Sequence, residues 1–207
     1  MRRLRIAVIC SVLIAGLAVA TTDGAGAAVG TRSLPPSSRD ALARIFDPLL
    51  RDLGLRTTRA GLQSLRSYQF TPKGRHLAIY VEPIKNSYDD AKYIENYTDI
   101  AKVFLPMVFN RWKGLKSFDV CQEPRPSDND QPEPPPRTQI LVSRTGMKYV
   151  HWRTATLATL IKTARNHVHN GPGLADFSVY FDFGLRSVPA YMEASDRAGP
   201  PTTTTTS

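Results

Sequence analysis

Residues 76–83 read His76-Leu77-Ala78-Ile79-Tyr80-Val81-Glu82-Pro83, and residues 117–123 read Ser117-Phe118-Asp119-Val120-Cys121-Gln122-Glu123. Both alternate with period two, as strands do. Leu77, Ile79 and Val81 share one face of the first, and Phe118, Val120 and Gln122 share one face of the second. Asp119, Cys121 and Glu123 fall on the opposite face. Between these strands the period changes to that of a helix. It starts near Ser87, with Asp89 and Asp90 in a first turn where negative charge suits the dipole. Ala91, Ile94, Thr98, Ala101, Phe104, Leu105, Val108 and Trp112 form its inner stripe, and Pro106 should kink or split it.

Working outward, Thr138 to Arg144 reads as a strand around Ile140 and Val142. Thr154 to His169 reads as a helix stopped by Asn170-Gly171-Pro172-Gly173, and Phe177, Val179, Phe181 and Phe183 alternate in a final strand. The order strand, helix, strand, strand, helix, strand is that of a split β-α-β unit. The expected fold is therefore α+β, an antiparallel sheet with helices on one face, ferredoxin-like or cystatin-like. Upstream, Leu42, Ile45, Phe46, Leu49, Leu50 and Leu53 make an amphipathic N-terminal helix, with Ser37 or Ser38 as its cap and Pro48 as a kink or break near Asp47. A weaker strand over Leu62–Phe70 pairs with the 76–83 strand through the turn Pro72-Lys73-Gly74.

The ends of the chain read differently from its middle. Arg2, Arg3 and Arg5 precede a 15-residue uncharged run, Ile6–Ala20, and small residues follow at Ala25-Gly26-Ala27-Ala28. This is the layout of a secretory signal peptide, residues 1–27, and the run is too short to span a bilayer. The expected location is secreted, in the cell envelope or the extracellular space, with no transmembrane anchor after cleavage. Residues 28–37 read as a flexible lead-in and 38–185 as a single domain. A loop at 124–137 holds six prolines, and 186–207 reads as a disordered Pro/Thr tail.

Cleavage leaves Cys121 as the one remaining cysteine, so no internal disulfide can form. A free thiol between Asp119 and Glu123 is raised rather than lowered in pKa, which opposes an activated thiolate. The whole chain carries +9; removing residues 1–27 leaves 24 basic and 17 acidic side chains. Most of the excess lies within residues 28–75, in Arg56, Arg59, Arg66, Lys73 and Arg75, which favours an anionic partner. Export removes nucleic acid as the usual target, and no reading motif accompanies the charge.

Catalytic and metal motifs are sparse. The chain contains no Gly-x-Ser-x-Gly, His-Glu-x-x-His, phosphate loop or dinucleotide fingerprint. His167 and His169 diverge on a helix, so no metal is expected, and no cofactor is implied. A Cys121–His151 pair and a carboxylate pair drawn from Glu82, Asp119 and Glu123 are the remaining catalytic candidates. The segments Phe104-Leu105-Pro106, Arg111-Trp112 and Phe118-Asp119-Val120-Cys121-Gln122-Glu123-Pro124 resemble small exported proteins of actinobacteria. That resemblance implies export and assigns no functional residue. The expected function is a non-enzymatic binding protein contacting an anionic envelope component or a small apolar ligand. A small secreted hydrolase is the alternative.

Overall fold

The 76–83 and 117–123 segments become neighbouring strands because a helix of the right length lies between them. A computed structural model describes residues 34–63, 75–85, 88–125, 135–167 and 175–202. The expected signal peptide, most of the expected lead-in, the 64–74 turn region, most of the Pro-rich loop, His169 and residues 203–207 lie outside the described residues. The elements are α1 (Arg39–Leu50), β1 (Leu55–Gln63), β2 (His76–Pro83), α2 (Asp90–Arg111) and β3 (Ser117–Gln122). β4 (Thr138–Ser143), α3 (Leu157–Asn166), β5 (Phe177–Phe181) and α4 (Pro189–Ala198) follow.

The fold is α+β, with a mixed sheet in the order β1-β2-β3-β4-β5. β1 and β2 pair antiparallel, as do β3 with β4 and β4 with β5. β2 and β3 run parallel, with His76 opposite Ser117 and Val81 opposite Gln122. A wholly antiparallel, ferredoxin-like order is therefore not what forms. The 22 residues of α2 span about 33 Å, enough to return the chain past the full length of β2. β3 then starts where β2 starts, and α2 packs against β3 and β4.

All four described helices pack on one face. Leu77, Ile79, Val81, Phe118, Val120, Ile140, Val142, Phe177 and Phe181 join one core with residues of α1, α2, α3 and α4. Phe46 of α1 lies near its centre, edge-on to Phe104 at 5.1 Å and stacked on Phe118 at 6.5 Å. Each buried large side chain of this kind contributes roughly 1.5–3 kcal/mol through area removed from water.

Two prolines lie inside helices without breaking them. Pro106 lies inside α2, which continues from Asp90 to Arg111 without splitting. The missing N–H orphans one carbonyl, while Phe104, Leu105, Val108 and Phe109 remain buried around it and hold both turns. Pro48 likewise lies within α1, whose last turn tightens into a 3₁₀ turn over Arg51–Leu53. Gly54 ends it in the left-handed region at φ 71°.

β1 begins at Leu55, upstream of the expected strand. It is an edge strand, and α1 guards part of its backbone. Asp47 Oδ1 accepts from Thr57 N at 2.8 Å, and Arg39 donates to the carbonyls of Thr57 and Thr58 at 3.2 and 2.8 Å. The C-terminal region differs more from its reading as a disordered tail. Residues 189–198 form α4, which buries Ala194 and Ala198 against the rest of the domain. Pro189 at its start and Gly199 past its end are the sequence signals for this helix. Among the described residues, no helix is long and apolar enough to cross a membrane.

Candidate functional site

The face of the sheet opposite the helices carries a buried cluster of a hydroxyl, an imidazole, a carboxylate and a thiol. Because strand side chains alternate, His76, Ser117, Asp119, Cys121 and Gln139 all project to that face. The parallel register sets His76 beside Ser117, and the antiparallel register sets Gln139 beside Cys121. Asp119 is the hub. Its Oδ1 lies 3.2 Å from His76 Nε2, and its Oδ2 accepts from Gln139 Nε2 at 2.6 Å. The Cys121 thiol reaches the same Oδ2 at 3.9 Å. His76 Nδ1 lies 2.8 Å from Ser117 Oγ. A neutral imidazole serves both contacts at once, donating from Nε2 and accepting the hydroxyl proton at Nδ1.

A hydroxyl, an imidazole and a carboxylate in one chain are the parts of a nucleophile-activating relay. Here they are sealed: Ser117 and His76 are 0% exposed and Asp119 is 3% exposed. Cys121 is also buried and forms no disulfide. Burial, reinforced by the charges of Asp119 and Glu123, holds its thiol far above the ordinary range, so it stays protonated. His151 is exposed and lies at the start of a short helical turn, and the thiol's recorded partner is Asp119 instead. The three carboxylates singled out from sequence do not converge, since each has its own partner. Glu82 binds Arg56, Glu123 binds Arg59 and Thr58, and Asp119 binds His76 and Gln139.

The basic segment is divided by its pairing. Arg56 lies 2.5 Å from Glu82, and Arg59 lies 2.5 Å from Glu123 while its guanidinium sits 4.0 Å over the Tyr80 ring. Their charge is thus largely balanced within the sheet. Arg75 is exposed, and its carbonyl accepts from Lys116 N at 2.9 Å. Arg66 and Lys73 lie outside the described residues. Among the described residues, no cluster of His, Cys, Asp and Glu suits a metal ion.

Surface cavities are lined by several groups of the described residues. One of about 620 Å³ lies beside the α1–β1 turn and the first turns of α2. Its lining mixes Arg51, Lys85 and Lys92 with Asp52, Glu95 and Asp99, so its charges offset one another. Tyr88 and Asn96 form its inner wall, joined by a 2.8 Å hydrogen bond. A cavity of about 330 Å³ lies beside the stacked rings of Tyr149 and His167, whose centroids are 3.7 Å apart.

Another, of about 450 Å³, lies between α3, β5 and α4. Ile161, Phe177, Val179, Phe181 and Tyr191 supply most of its apolar wall, and the charged residues lining it are Arg165 and Arg186. Sequence reasoning missed this site. Tyr191 and Arg186 fell in the segment read as disordered, and only α4 brings them against α3 and β5. No protein-family model matches the chain, and neither does any curated protein or solved structure.

Proposed function

We propose that this protein is exported and acts as a non-enzymatic binding protein of the cell envelope or extracellular space, contacting an anionic or apolar partner. One contrast carries the reading. The cluster that holds a thiol, a hydroxyl and an imidazole is sealed in the sheet, whereas a solvent-open cavity combines an apolar wall with two arginines and no acid. Binding needs that accessible surface, and nucleophilic catalysis needs the inaccessible one. The Arg-led, uncharged segment at residues 2–20 and the small residues at 25–28 support export.

Co-sedimentation of the purified protein with phosphatidylglycerol vesicles and with isolated cell walls, at low and high salt, tests the reading. Retention at low salt that weakens at high salt supports an anionic partner, and salt-resistant retention supports an apolar one. No retention on either material at low salt overturns the proposal.

The hydrogen-bonded series Ser117–His76–Asp119 is the specific observation that favours a hydrolase instead. A serine-directed fluorophosphonate distinguishes the two. The binding reading expects no labelling of native protein. Labelling at Ser117 that disappears in His76→Ala would replace it with the hydrolase reading.

A further inference from the structure

We propose that the cavity between α3, β5 and α4 binds a single-chain amphiphilic carboxylate of the fatty-acid type, with its acyl chain inside and its head group on Arg186. This deepens the binding reading above and rests on it. The cavity's volume of about 450 Å³ is within the roughly 300–1,000 Å³ of small-molecule sites. Its apolar wall is built from both sides, by Phe177, Val179 and Phe181 of β5 and by Ile161 and Ala164 of α3. Such a wall offers contact to a hydrocarbon chain, while Ser178 and the two arginines supply the polar part of the lining.

The arginines select the head group. Arg165 is largely committed to α4: Nη1 donates to the carbonyls of Ser195 and Gly199 at 2.9 and 2.6 Å, and Nη2 donates to Ser195 Oγ at 2.6 Å. It contributes positive potential and fixes the cavity wall. Arg186 uses Nε on the carbonyl of Phe181 at 2.9 Å. Among the described residues, its two terminal amino groups have no recorded partner. The nearby Asp182 does not neutralise it, because that carboxylate is held by Arg137 and by Leu185 N. One free guanidinium fork matches one carboxylate in the bidentate manner.

Calorimetric titration of the purified protein with octanoate, decanoate and dodecanoate, each below its micellar concentration, tests the proposal. Affinity should rise about two- to fourfold per added methylene as the chain fills the cavity. Arg186→Gln should weaken dodecanoate binding roughly tenfold and abolish the preference for dodecanoate over dodecanol. Ala164→Phe, which fills the cavity from α3, should remove binding while far-UV and near-UV circular dichroism stay native. Arg186→Gln alters an exposed side chain, so it keeps the test decisive if Ala164→Phe misfolds. The proposal is overturned by no dodecanoate binding, by affinity independent of chain length, by unchanged binding in Arg186→Gln, or by binding of dodecyl phosphate without dodecanoate. If protein that ignores dodecanoate still co-sediments with vesicles or walls, this site assignment fails and the broader binding reading stands.

Discussion

At the scale of single residues, Asp119 carries the largest structural responsibility. It sits 3% exposed and satisfies His76, Gln139 and Cys121 together. Asp119→Ala leaves the buried His76 imidazole and the half-buried Gln139 amide short of an acceptor and should cost about 3 kcal/mol in urea unfolding. Cys121 gives a pH signature. Burial, then the neighbouring carboxylates, raise its native pKa, whereas the unfolded chain ionises the thiol near ~8.5. Above that pH the unfolded state holds fewer protons than the native state, so stability falls as pH rises. The expected loss is about 1.4 kcal/mol per pH unit between roughly 9 and 10, and Cys121→Ala should show a slope shallower by that amount. Equal slopes in the two proteins would contradict the assignment. Burial pushes the Tyr88 and Tyr97 phenols upward too, which extends the loss beyond about pH 10. That Asp119 and Cys121 share a face was legible from alternation alone. That His76, Ser117 and Gln139 meet them there was not, because contact across strands depends on register.

At the scale of elements, the ends of helices show how much is settled by residues distant in sequence. α2 starts as its sequence suggests, with Asp89 Oδ1 accepting from Lys92 N at 2.9 Å. Its far end is capped by Arg144, which follows β4. That guanidinium donates to the carbonyls of Phe109, Trp112 and Leu115 at 3.2, 2.7 and 2.9 Å. It lies 5.0 Å over the Phe109 ring. Arg144→Met keeps much of the aliphatic packing and strips these carbonyls of their donor. It should lower stability by about 2 kcal/mol in denaturant melts, with the m-value unchanged. The inner face of α2 was only partly legible. Tyr93, Asn96 and Tyr97 are buried where an apolar stripe was expected, because their polar tips reach partners across the fold. Tyr93 Oη donates to the carbonyl of Glu123 at 2.9 Å, and Tyr97 Oη donates to that of Gln139 at 3.0 Å. α4 was missed because its small and charged residues bear a weak apolar signal, and its burial comes from α3.

At the scale of the whole molecule, one core on one face of the sheet holds the fold without disulfides. The free thiol lies beneath other groups, so a non-reducing gel of the folded protein should show no disulfide-linked dimer; a dimer that reductant removes would mean Cys121 is exposed in solution. The amino-acid sequence by itself determined the alternating strands at 76–83, 117–122 and 138–143, the helical periods between them and the α+β class. These follow from local periodicity, which needs no partner to be read. The parallel β2–β3 pair, the sealing of Ser117 and His76 beside Asp119, and the cavity under α4 were decided only by tertiary structure. Each depends on which distant surfaces meet, and pairing energy between segments far apart in the chain leaves no mark on the local pattern of either one.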